Sequence, residues 1–195
     1  MYEQFLYYWL LWIIFIIVTF FIHQSKQRSY ILFWLLVIII SSPYQITVQT
    51  MQVSIVFFVM FFGSIVLFSF KSISFYRLFG TFTVMICYIS LLLWEIITPV
   101  WFFMPSYFII TFIIVLLVHL LFHTLYEQVT VSLLGLALGQ LMYELIVFSY
   151  HLNDEIGSEQ FIIQVSFILL FQMLIYAFQS IIEQLSRMIT HFLLK

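Results

Sequence analysis

The side chains in this chain that could do chemistry are few, and most lie in its second half. His119, His123 and Glu127 recur at i, i+4 and i+8, a spacing that lines one face of a helix. Histidines four apart are a zinc-ligand spacing, which makes His119, His123 and Glu127 candidate metal ligands. The metalloprotease form needs Glu directly after the first His, and that position is Leu120. The hydrolytic version is therefore absent, and the plainer reading is polar anchoring at the level of the lipid headgroups. Glu144, with Gln140 one turn before it, is a carboxyl about 9 Å inside the outer end of an apolar segment, at 1.5 Å per residue. It must find a partner or stay neutral there. Intramembrane ionisable residues are candidates for proton or cation paths. Gln172, Tyr176, Gln179 and Glu183 form a narrow helical stripe expected to face protein or a wet cavity. Gly135 and Gly139 form a GxxxG, which lets helix backbones approach closely in lipid. The expected arrangement is a close-packed glycine face with the polar residues of that helix on the opposite side and Leu136 toward lipid.

These residues must be positioned by membrane helices. The 195 residues are 65% hydrophobic and 7% charged, against about 25% charged in a soluble domain. Six Lys and Arg with eight Asp and Glu cannot cover a globule of this size, which excludes a water-soluble monomer. Low hydrophobicity, the mark of disorder, is missing too. Seven apolar stretches come near the roughly 20 residues a crossing needs: 5–22, 30–46, 53–70, 78–97, 106–126, 129–150 and 161–182, followed by a short tail, 183–195. The runs are continuously apolar rather than alternating, so helices are expected and strands are not. Two features strain this reading. The 30–46 stretch ends in Ser41, Ser42 and Pro43, and only Glu127 and Gln128 separate the fifth and sixth stretches. Glu3 precedes the first apolar run and Lys26 and Arg28 follow it, which reads as an uncleaved spanning helix rather than a signal peptide.

The basic residues test the count. All six sit at three places: Lys26 and Arg28, Lys71 and Arg77, Arg187 and Lys195. Lys and Arg gather on the cytoplasmic side. Two segments separate the first pair of sites and four the second, so seven crossings put all three sites on one side. The expected topology is N-terminus outside and C-terminus inside, with Asp154, Glu155 and Glu159 in an outer loop. The whole chain, 1–195, is expected to fold as one integral membrane domain. Its partners are the lipid bilayer and either another membrane protein or a second copy. The charge of −2 and the lack of a basic patch exclude nucleic acid.

Tyr7-Tyr8-Trp9, the apolar run after it and Lys26-Gln27-Arg28 resemble the YphA-like membrane proteins of Bacillus and relatives. The resemblance implies a multi-pass bacterial plasma-membrane protein with an envelope or sporulation context, and supplies no catalytic residues. No phosphate-cradling glycine loop or nucleophile elbow occurs. Five Gly and three Pro are few for a transporter of broken helices. The single Cys87 reads as a small hydrophobe. A non-enzymatic structural or partner-binding component, with no cofactor, is the first expectation. A proton, cation or solute pathway using Glu144 and the polar face of the last helix is the second, and an intramembrane metalloenzyme around His119 and His123 the third.

Overall fold

The computed structural model describes residues 2–21, 26–48, 51–72, 74–98, 105–150, 155–156 and 159–193, with side chains over 6–20, 28–46, 54–72, 74–98, 105–150 and 159–182. Among them are seven helices: α1 (Tyr2–Phe21), α2 (Lys26–Ser41), α3 (Ile55–Ser69), α4 (Phe75–Ile97), α5 (Ser106–Leu121), α6 (Leu125–Ser149) and α7 (Glu159–Leu193). Helices are the outcome that physics favours here, because a backbone in lipid must satisfy its hydrogen bonds within its own segment. Three are long and apolar enough to cross a membrane: Phe75–Ile97, Leu125–Ser149 and Glu159–Ile182. The stretches Leu6–Phe20, Arg28–Ser41, Ile55–Ser69 and Ser106–Leu121 are shorter apolar helices.

Three short strands depart from the purely helical expectation. β1 (Gln45–Val48) pairs antiparallel with β2 (Met51–Ser54), and β2 pairs in parallel with β3 (Glu155–Ile156). The expected 30–46 helix therefore stops at Ser41. Ser41 turns its hydroxyl back onto the Val37 carbonyl, Pro43 follows, and the chain then extends. The expected 53–70 helix starts at Ile55, after β2. The sheet ties the α2–α3 connection to the α6–α7 connection, so both lie at one end of the bundle.

The opposite end is knotted by side chains. Arg28 donates to the Thr19 carbonyl across the α1–α2 turn, and the Tyr30 ring meets the Phe70 ring edge-on at 5.3 Å. Tyr126 donates to the Leu67 carbonyl at 2.6 Å, and Tyr76 to the Leu121 carbonyl at 2.8 Å. The turns α1–α2, α3–α4 and α5–α6 therefore meet there.

The α5–α6 turn is earlier than expected. Helix α5 ends at Leu121 rather than at residue 126, because Phe122 is extended (φ −131°, ψ 136°). Thr124 then caps α6 by accepting from the Glu127 amide, so α6 begins at Leu125 rather than 129. At the other extreme, the expected tail 183–195 is helical to Leu193. At 35 residues, α7 is about 52 Å long, well beyond a hydrocarbon core of about 30 Å.

Helix α6 is the axis of the fold and packs on α3, α4, α5 and α7. Its residues Val131 to Ala137 are all buried. Helix α1 buries Tyr7, Leu10, Leu11, Ile14 and Val18, the i, i+3, i+4, i+7 pattern of one apolar stripe, against α2 and α7. Trp9, Trp12 and Phe20 point outward.

Candidate functional site

Two groups of buried polar side chains are built on α6. Toward the sheet end, the Tyr88 hydroxyl of α4 donates to Gln140 Oε1 at 2.9 Å, and Gln140 Nε2 donates to Glu144 Oε1 at 2.6 Å. Glu144 is 6% exposed. Successive turns of one helix present Gln140 and Glu144 on one face, which is how the i, i+4 spacing becomes a hydrogen bond.

Toward the other end, Gln172 of α7 donates to Ser132 Oγ at 2.5 Å. Ser132 in turn donates to the Gln128 carbonyl. The Gln128 amide nitrogen spends one hydrogen on the Phe122 carbonyl at 2.7 Å and has its second toward His119 Nδ1 at 3.1 Å. Gln179 Nε2 lies 3.1 Å from His119 Nε2. Helices α5, α6 and α7 are thus linked by one polar chain.

The two groups do not meet. Ser132 and Gln140 are eight residues apart on α6, about 12 Å at 1.5 Å per residue. Leu133, Leu134, Gly135, Leu136, Ala137, Leu138 and Gly139 fill the interval. No hydrogen bond between described residues joins the clusters.

The glycines serve α4. A Cβ on Gly135 would lie 2.7 Å from Val84 Cγ1 and 3.0 Å from the Thr81 carbonyl oxygen, and one on Gly139 would lie 2.9 Å from Tyr88 Cδ1. The small side chains let the α4 and α6 backbones approach, with the Tyr88 ring laid across the gap. This corrects the expectation of a glycine face opposite a polar face: Gly139 and Gln140 both meet Tyr88. Leu136, expected to face lipid, is 0% exposed, because α6 is surrounded by other helices.

The line of His119, His123 and Glu127 is also corrected. The three are divided between the end of α5, the turn and the first turn of α6, so they share no helical face. His119 is engaged by Gln128, His123 is exposed, and Glu127 pairs with Lys71 of the α3–α4 loop. Among the described residues no three His, Cys, Asp or Glu side chains converge as metal ligands. The α7 stripe divides as well. Gln172 is 2% exposed, but Tyr176 is 50% exposed on the outside of the bundle, and the exposed Gln179 reaches His119. The Glu183 side chain lies outside the described residues.

Other interior partners gave little signal in sequence. Gln164 of α7 donates to Thr111 Oγ1 of α5 at 2.9 Å and to the Tyr107 carbonyl at 3.2 Å. Arg77 is 3% exposed. A polar residue inside an apolar run is the available clue for Gln164, whereas Gln128 reads only as part of a turn and Arg77 only as a topology marker.

Comparison with curated proteins and with solved structures returned no match. A family model, that of the YphA-like integral membrane proteins, matches residues 3–193. That span is nearly the whole chain, including both polar clusters and the α4–α6 glycine contact, and it agrees with the apolar helices just described: the chain belongs to the YphA-like integral membrane protein family.

Proposed function

We propose that this protein is a multi-pass plasma-membrane bundle of seven crossings, N-terminus outside and C-terminus inside, that acts as a non-enzymatic structural or partner-binding component. The seven-crossing reading draws on the two ends of the bundle. Arg28, Lys71 and Arg77 gather at the end where the α1–α2, α3–α4 and α5–α6 turns meet, as the cytoplasmic bias of Lys and Arg requires. The sheet and Glu159 lie at the other. A sheet edge belongs in the headgroup region or beyond, since hydrocarbon leaves its open groups unsatisfied. Seven alternating crossings would give both ends these contents, which supports the reading.

The observation that carries the non-transport reading is the apolar interval of α6 between the two polar clusters. Over about 12 Å, between Ser132 and Gln140, α6 itself offers a proton or cation no polar side chain. On either side, Tyr88 bonds Gln140 and Gln172 bonds Ser132, interhelical hydrogen bonds of the kind that hold a bundle together. Reconstituted vesicles test this. Proton and cation flux should equal that of protein-free vesicles, in the wild type and in Glu144→Gln alike. Pull-down from native membranes should return a stoichiometric membrane partner or a second copy. Flux that is present in the wild type and lost in Glu144→Gln would replace this reading with a pathway through Glu144.

A further inference from the structure

A cavity of about 250 Å³ opens between the α3–α4 loop and the α5–α6 turn, lined among others by Lys71, Ser74, Tyr76, Arg77, His123 and Glu127. At roughly 30 Å³ per water it has room for about eight waters, or for a phosphate group with part of its hydration. Its floor is closed by Phe122, whose ring seats on Gly80; a Cβ there would lie 2.5 Å from the ring.

Three features give the cavity an anionic preference. The first is Arg77, nine-tenths buried and more, at 3% exposure. Its Nη1 donates to the carbonyls of Lys71 at 3.1 Å and Ser72 at 3.0 Å, and its Nη2 to the Phe68 carbonyl at 3.1 Å and to Thr130 Oγ1 at 3.4 Å. Every one of these acceptors is neutral, the guanidinium lies over the Phe68 ring at 4.2 Å, and Nε has no hydrogen-bond partner. The nearby anionic charge is the Glu127 carboxylate, which is shared with Lys71. The second is the start of α4. Ser74 is its N-cap but makes no side-chain capping bond, and the first amides of a helix have no acceptor within it. The third is the local sum of charge. Lys71 and Glu127 pair with one another, which leaves the charge of Arg77 in excess.

We propose that this cavity binds a phosphate-bearing anion, and that its source is the headgroup of an anionic phospholipid. Basic pockets between membrane helices on the cytoplasmic side have the chemistry for such headgroups, and an open helix N-terminus suits a phosphate. Placement at the membrane surface rests on the seven-crossing reading; binding in detergent does not, so the two can fail separately. The Lys71–Glu127 pair acts as the rim. Lys71, with its side chain 49% exposed, swings from Glu127 to the bound phosphate.

The test is native mass spectrometry of the full chain in detergent, titrated with phosphatidylglycerol or phosphatidylcholine, with a parallel thermal-shift titration by inorganic phosphate. Ser74→Asp supplies a good N-cap, so the fold is retained, but sets a negative charge at the mouth. It should weaken phosphatidylglycerol binding about tenfold or more, the equivalent of roughly 1.4 kcal/mol. Glu127→Gln removes the carboxylate and frees Lys71, and should strengthen binding severalfold. Phosphatidylcholine should bind weakly and equally to all three proteins. Opposite signs for the two variants are the expected signature, since a purely structural role would not produce them. Equal binding of the two lipids by the wild type overturns the proposal, as does indifference to both substitutions. Stabilisation by inorganic phosphate with no preference for phosphatidylglycerol overturns the lipid source.

Discussion

Replacing Gly135 by alanine would set a Cβ 2.7 Å from Val84 Cγ1, 2.8 Å from Val84 Cβ and 3.0 Å from the Thr81 carbonyl oxygen. None of these atoms is the free end of a flexible side chain. Val84 is branched at Cβ and 0% exposed, and the Thr81 oxygen is backbone of α4. The clash must be relieved by parting α4 from α6. Overpacking a tight core costs about 1–3 kcal/mol, and with rigid neighbours the upper end applies. Against this stands the helix propensity of alanine over glycine, worth about 1 kcal/mol. The net expected loss for Gly135→Ala is then about 2 kcal/mol. At Gly139 the nearest atom is Tyr88 Cδ1 at 2.9 Å and the nearest backbone atom is the Met85 oxygen at 3.3 Å. The ring can tilt, though at the expense of its hydrogen bond to Gln140, so Gly139→Ala should lose about 1 kcal/mol or less. Leu145, 51% exposed on the same helix, supplies the control: Leu145→Ala should stay within about 0.5 kcal/mol of wild type. Thermal unfolding in detergent reads the order. A loss of 2 kcal/mol in a chain of this size is a drop of roughly 4–8 °C in Tm. Gly135→Ala unfolding with Leu145→Ala, or Gly139→Ala proving the worse of the two glycine variants, would refute the argument from close approach.

Glu144→Gln keeps an oxygen for the Gln140 amide and should leave stability within about 1 kcal/mol of wild type, whereas Glu144→Lys puts an unpaired cation in a buried position and should cost about 3–5 kcal/mol; detergent unfolding of the two variants side by side checks it. A double-mutant cycle on Lys71 and Glu127 should return a coupling below about 1 kcal/mol that fades in high salt, because Lys71 is half-exposed and its attraction is screened. In a Cys87-free background, Ser74→Cys should label only from the cytoplasmic side and Ile156→Cys from outside. The reverse pattern would invert the topology, and labelling of both from one side would remove a crossing.

Class and main elements were legible in the sequence, because the cost of exposing backbone polar groups to hydrocarbon leaves few solutions for a chain with long apolar runs and 7% charge. Helices were readable as runs, and Gly135 and Gly139 as a place of close approach, since both follow from local properties of the chain. The small sheet was not readable. β1 and β2 are four residues each, and β3, their further partner, is two residues lying some hundred positions away, so its formation depends on where the helices bring those connections. The turn at Phe122–Thr124 carries neither Gly nor Pro. It became a turn because Phe122 fits over Gly80 and Thr124 caps α6, which removed the single helical face shared by His119, His123 and Glu127. The orientation of apolar side chains was the deepest gap. In water, periodicity separates the inside from the outside of a helix, but lipid and protein interior are both apolar. Leu136 and Leu145 are the same residue on the same helix, and only the packing of four other helices around α6 decides that Leu136 is buried and Leu145 faces out. The same packing put the charge of Arg77 inside, among the carbonyls of Phe68 on α3 and of Lys71 and Ser72 in the α3–α4 loop, which no spacing of residues could announce.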